Sequence, residues 1–143
     1  MSSDQLFSKL LVSIDGSEPS FHAARVGINI ANKFNSKIIV LYVVVSPSKY
    51  EYADLTGFVT TKQIDTIIEN AKEEAKDWFK RIEDMAKKEN PDIKLTTILI
   101  VTGESIYGEI IQYVEKEGID LIVIGTRGRS GIKKLVLGST ALM

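Results

Sequence analysis

The stretch GTRGRSGIKKLVLGST, residues 125–140, concentrates backbone freedom and positive charge. Gly125, Gly128 and Gly131 recur at every third residue, and Gly138 is followed by Ser139 and Thr140. Arg127, Arg129, Lys133 and Lys134 add four cations. Gly125 and Gly128 let the chain turn sharply and approach a ligand with no Cβ in the way. Exposed N–H groups in such a loop form an anion-binding concavity. Gly138-Ser139-Thr140 reads as a helix start, where a hydroxyl caps and free N–H groups face an anion. The chemistry this composition suits is the holding of phosphates. The plain alternative is a turn bearing solvated Lys and Arg, and from Gly125-x2-Gly128 alone the two readings weigh equally. No G-x-x-x-x-G-K-[ST] is present, which excludes a Walker-type loop. No G-x-G-x-x-G follows the first apolar run, so a dinucleotide fingerprint is unsupported.

Catalytic chemistry is thinly provided. His22 is the single histidine, so no histidine pair exists to build a metal site, and a Ser-His-Asp arrangement lacks a nucleophile that can be placed beside it. Asp15, after the first apolar run, suits ligand binding better than phosphoryl transfer, because no second catalytic carboxylate is evident in the loop. Glu104 reads as a solvated turn residue and Trp78 as helix packing or partner contact. The charges from Glu69 to Lys88 read as a solvated helix face. There is no cysteine, which excludes disulfides, thiolate catalysis and Cys-ligated zinc and fits a reducing compartment.

These residues need a frame. The chain has 143 residues, 44% hydrophobic and 26% charged, with a net charge of −1. That balance suits one globular domain over residues 1–143. It gives no global attraction to nucleic acid or anionic membrane. The first residues lack the basic and apolar blocks of a signal peptide. No apolar run approaches the roughly 20 residues of a membrane helix. The expectation is a cytoplasmic protein.

Hydrophobic periodicity places four strands and three helices. Residues 10–15, 37–45, 94–101 and 120–124 read as strands, the second apolar on both faces as a covered parallel strand should be. Helices are expected from Ser17, with Glu18 and Pro19 in the first turn, over about 62–88, and over 105–117 with Gly118 as the stop. The stripe of the long helix is Ile64, Ile68, Ala71, Ala75, Phe79, Ile82 and Ala86. Residues 46–61 read as irregular. Strands alternating with helices predict an α/β fold: a single doubly wound parallel sheet in three α/β/α layers. Ligands of such sheets bind beyond the strand carboxyl ends, where strand order reverses. Asp15, Val43 to Val45 and Gly125 all lie at such ends.

The full spacing Gly125-x2-Gly128-x9-Gly138-Ser139 resembles the ATP-binding signature of the universal stress protein family. KLLVSIDGSEPSFHA resembles that family's first strand and turn, KIIVLYVVV its second strand, and DLIVIGTRGRSGIKKLVLGST its fourth strand and nucleotide loop. The resemblance covers essentially the whole chain. It implies a Rossmann-like fold of the adenine nucleotide alpha hydrolase type, with ATP at the carboxyl ends of strands 1, 2 and 4, accompanied by Mg²⁺. It implies that Asp15 meets the adenine or ribose, that Ser13 approaches the nucleotide, and that the Val43 backbone lines the base pocket. Ile124 and Gly125 would border the ribose and phosphates. Gly128, Gly138, Ser139 and Thr140 would hold the phosphates. Arg127 and Arg129 occupy variable positions of the signature, and charge alone suggests their phosphate role. Family members continue past Gly-Ser with a helix and a fifth strand that helps build the dimer. The chain as given reaches Met143, so the expectation is a domain truncated there, without that strand.

The leading function is a stress-response or signalling module whose state follows adenine nucleotide occupancy, acting as a homodimer with a protein partner the sequence does not identify. The alternative is a slow Mg-dependent ATPase or phosphotransfer enzyme using the same pocket. Third comes an interaction protein with a decayed site, or a basic loop gripping nucleic acid, for which four cations on a chain of net charge −1 argue weakly.

Overall fold

The computed structural model describes residues 7–46 and 61–125. Its elements are β1 (Lys9–Ser13), α1 (Glu18–Phe34), β2 (Lys37–Val45), α2 (Thr61–Glu89), β3 (Leu95–Thr102), α3 (Ile106–Glu117) and β4 (Leu121–Ile124). The four described strands form one sheet in the order β3-β2-β1-β4. Every neighbouring pair is parallel. The order reverses between β1 and β4, as a doubly wound sheet requires.

Side-chain alternation along the strands divides the apolar residues into two layers. Leu10, Val12, Ile38, Val40 and Val123 pack with Phe21, Ala24, Ile28, Ile82 and Ala86 of α1 and α2. Leu11, Leu41, Val43, Ile122 and Ile124 pack with Ile110 on α3. The layers are therefore α1 and α2, the sheet, then α3. β2 pairs on both sides and carries five buried residues among nine, which explains its continuous apolar sequence.

The helix ends follow their caps. Ser17 accepts from the Ser20 N–H and starts α1 with Pro19 in the first turn. Ser105 accepts from the Gly108 N–H at 2.9 Å and starts α3. Gly118, at φ 66°, closes α3 by donating its N–H to Val114. α1 ends on Asn35 in the left-handed region, at φ 54°, a conformation asparagine tolerates better than other side chains. The expected stripe of α2 buries Ile64, Ala75, Ile82 and Ala86.

The strand ends shift by one or two residues from the sequence expectation. β1 stops at Ser13, so Asp15 stands beyond the strand, although the Ile14 N–H still donates to the Leu41 carbonyl at 2.9 Å. β4 starts at Leu121, one residue after Asp120, which already donates its N–H to the Lys9 carbonyl at 2.9 Å. The Asp120 Oδ2 accepts from the N–H groups of Ser8 and Lys9, at 2.8 and 3.1 Å. The expected irregular run 46–61 lies outside the described residues except at its two ends.

Candidate functional site at the carboxyl ends of the strands

A cavity of about 230 Å³ opens at the carboxyl end of the sheet, above the strand-order reversal. β1 contributes Ser13 and the following Ile14 and Asp15; β2 contributes Tyr42 to Val45; β4 contributes Ile124 and the following Gly125. Ser20 from the first turn of α1 and Ile106 from the first turn of α3 complete the wall. The parallel sheet makes this convergence inevitable. Ser13 is the register partner of both Leu41 and Ile124, so the three chains leave the sheet at one level.

Asp15 is held in place. Its Oδ1 accepts from the Ser17 N–H at 3.0 Å and from the Ser17 hydroxyl, an aspartate folding its own turn. Ser17 in turn accepts from Ser20 N–H, and the Ser20 hydroxyl donates to the Ser17 carbonyl at 2.7 Å. Asp15 thus lines the cavity as a carboxylate tied into its own turn.

Gly16 lies between Asp15 and its partner serine at φ 83°, in the region where side chains are strained. A Cβ there would sit 2.2 Å from the Trp78 ring. Trp78 of α2 therefore covers the Asp15-Gly16 turn from outside. Its ring also meets Tyr42 edge-on, with centroids 4.9 Å apart. One side chain thus braces two walls of the cavity.

Gly125 makes its close approach to protein. A Cβ on it would meet the carbonyl carbon and oxygen of Pro19 at 2.8 Å and the Ser20 nitrogen at 3.1 Å. The lack of a side chain lets the end of β4 rest against the first turn of α1. This narrows the cavity where a helix N-terminus already favours negative charge.

The structure thus brings together Ser13, Asp15, Val43, Ile124 and Gly125 from the sequence-predicted set. Arg127, Gly128, Arg129, Gly138, Ser139 and Thr140 lie outside the described residues. Sequence reasoning did not find Ser20, Tyr42 or Ile106. The nearest signal was positional: Ser20 and Ile106 follow capping serines, and Tyr42 precedes Val43. His22 is exposed on α1, away from the residues lining the cavity. Glu104 is exposed in the turn before α3, its N–H donating to the Thr102 hydroxyl at 3.1 Å.

The model of the universal stress protein family matches residues 6–142. The chain belongs to the universal stress protein family. A universal stress protein of Methanocaldococcus jannaschii is 34% identical over 139 residues, covering 96% of this chain and 75% of the relative. One from Bacillus subtilis is 32% identical over 142 residues, covering 95% and 90%. Among solved structures, universal stress protein UspA of Lactobacillus plantarum superposes with a TM-score of 0.67 at 24% identity, covering 95% of this chain and 88% of that one. Two more distant universal stress proteins of the same fold were solved with nucleotides. One is in complex with cAMP, at TM-score 0.56 and 20% identity over 96% of this chain and 86% of that one. The other, from Archaeoglobus fulgidus, is in complex with dAMP, at TM-score 0.56 and 17% identity over 83% and 81%. Among the described residues of this chain, no helix is long and apolar enough to cross a membrane.

Proposed function

We propose that this universal stress protein binds an adenine nucleotide, ATP with Mg²⁺ foremost, at the carboxyl ends of β1, β2 and β4. The observation that carries the reading is the single cavity shared by Ser13, Asp15, Val43, Ile124 and Gly125, residues that stand far apart in sequence. The cAMP and dAMP complexes of two relatives support the choice of an adenine nucleotide.

The residues present suit that ligand. The cavity, about 230 Å³, falls just below the usual small-molecule range of about 300–1,000 Å³, which suits the nucleoside portion more than a whole triphosphate. Its wall is largely apolar, with Val43, Val44, Val45, Ile106 and Ile124 available to a base. Asp15 and Ser13 supply polar partners for the base or ribose. The phosphates would extend from Gly125 to the loop of Gly128, Gly138, Ser139 and Thr140, with Arg127 and Arg129 adding charge. Mg²⁺ would travel with the triphosphate, held largely by phosphate oxygens and water.

The role that goes with such binding is a nucleotide-dependent stress-response or signalling module, working as a cytoplasmic homodimer that meets a protein partner. Freshly purified protein, denatured and analysed by mass spectrometry, should release adenine nucleotide, and Gly128→Val should release none. A protein that emerges empty and ignores added Mg-ATP would overturn the reading.

A further inference from the structure

The opposite end of the sheet carries a second site. Lys9 and Lys37 open β1 and β2 and are register partners. Lys94 stands just before β3, its carbonyl accepting the Ile38 N–H at 2.9 Å. Leu11, Ile39 and Ile98 face α3. Strand alternation therefore puts Lys9, Lys37 and Lys94 on that same face. All three line one groove of about 410 Å³ with Ile39, Thr96, Ile98, Tyr113 and Glu117.

Like charges on paired strands destabilise a sheet unless something neutralises them. Lys9 is partly answered: its ammonium donates to the Glu117 carbonyl at 2.9 Å, at the negative end of α3. Lys37 and Lys94 are exposed and, among the described residues, have no such answer. Among the described residues, no carboxylate forms an ion pair with either. Further along the same strands and the same face of the groove lie the apolar side chains of Ile39 and Ile98. Burial, and secondarily the charge of Glu117, raise the Tyr113 phenol above its ordinary pKa; like any phenol it is a hydrogen-bond donor near neutral pH. An inorganic polyanion would meet the Glu117 carboxylate and leave the apolar floor unused.

We propose that this groove binds an organic anion, a carboxylate or sulfonate on an aromatic or aliphatic body, its charge between Lys37 and Lys94 and its body on Ile39 and Ile98. This site is independent of the nucleotide cavity. It uses the amino ends of β1, β2 and β3, where the nucleotide cavity uses carboxyl ends.

The test is fluorescence titration of the full chain with 8-anilinonaphthalene-1-sulfonate, with and without saturating Mg-ATP. The groove predicts binding that survives Mg-ATP, weakens as salt rises, and falls at least tenfold in Lys37→Ala/Lys94→Ala. The control Lys72→Ala/Lys76→Ala, on the exposed face of α2, should bind like wild type. Equal affinity in the Lys37/Lys94 double variant, or displacement of the probe by Mg-ATP, would overturn the proposal. Amide shifts give a second readout. Perturbation at Lys37–Ile39 and Thr96–Ile98 supports the groove, and perturbation confined to Ser13–Ser20 contradicts it.

Discussion

The two ends of the sheet are built differently. At the carboxyl end, backbone crowding sets the shape: Gly16 admits Trp78, and Gly125 admits the first turn of α1. Polar groups there are engaged with one another, Asp15 with Ser17 and Ser17 with Ser20. At the amino end, side chains join the elements: the Lys9 ammonium donates to the Glu117 carbonyl and the Ser36 hydroxyl to the Phe7 carbonyl. Asp120 accepts two N–H groups from the start of β1, and the lysines around it project into an open groove. Added atoms at Gly16 and Gly125 would thus meet protein at the carboxyl end, whereas the amino end is tied by side-chain hydrogen bonds of Asp120, Lys9 and Ser36. In a parallel sheet every strand enters at one end and leaves at the other, so the ends can specialise separately.

Substitutions that act on one end only can break this contrast. The largest effect is expected from Gly16→Val. The strain of a side chain at φ 83° adds to the clash with Trp78, together about 2–6 kcal/mol. Urea unfolding should register that loss, along with the loss of nucleotide binding. In a Trp78→Ala background, which carries its own packing loss, Gly16→Val should cost only the backbone strain. A Gly16→Val protein as stable as wild type would mean that the turn is not crowded.

Asp120→Ala should cost about 2–3 kcal/mol, since it removes a charged acceptor from two N–H groups. Its Mg-ATP affinity should stay within about twofold of wild type when the protein is folded, on the expectation that well-separated sites act independently. A large fall in affinity without unfolding would show that the two ends are coupled.

Trp78→Phe is a smaller perturbation. It keeps an aromatic ring but shortens the brace over Gly16 and Tyr42, so nucleotide affinity should fall severalfold with little change in the unfolding midpoint. Trp78 is the single tryptophan. Wild-type emission should therefore shift on nucleotide addition, and an unmoved spectrum with unchanged affinity in the variant would remove Trp78 from the site.

The smallest effect concerns Tyr113. A phenol whose folded pKa is raised contributes stability that is fully present below its unfolded value and lost as pH rises through the folded one. Wild-type stability should therefore decline above about pH 10. Tyr113→Phe should flatten part of that decline and leave neutral-pH stability nearly unchanged. An identical pH profile in the variant would mean that Tyr113 does not report burial.

Much of the frame was legible in the sequence because local chemistry fixes it. Eight consecutive apolar residues, Ile38 to Val45, mostly β-branched, can hardly be anything but β2, and Ser17, Ser105 and Gly118 mark helix ends by satisfying particular N–H or carbonyl groups. Asn35 was not legible, because a left-handed cap without glycine leaves a weaker trace. In the site, Ser13, Asp15, Val43, Ile124 and Gly125 stood at foreseeable carboxyl ends. Their roles came from the family resemblance, since residue type alone does not assign them. Tyr42 and Ile106 join them only through the strand order and the crossing of α3. Trp78 over Gly16 is a contact between residues 62 positions apart, for which spacing offers no signal. The row of Lys9, Lys37 and Lys94 likewise emerges only once the register is known.

The central claim is that adenine nucleotide enters at the carboxyl ends of β1, β2 and β4. Its most direct test is titration of the isotope-labelled full chain with Mg-ATP, followed through amide chemical shifts. The account predicts saturable shifts at Ser13, Asp15, Val43, Ile124 and Gly125, with Lys9, Lys37 and Thr96 unmoved. Shifts confined to the amino end, or none at millimolar Mg-ATP, would contradict it.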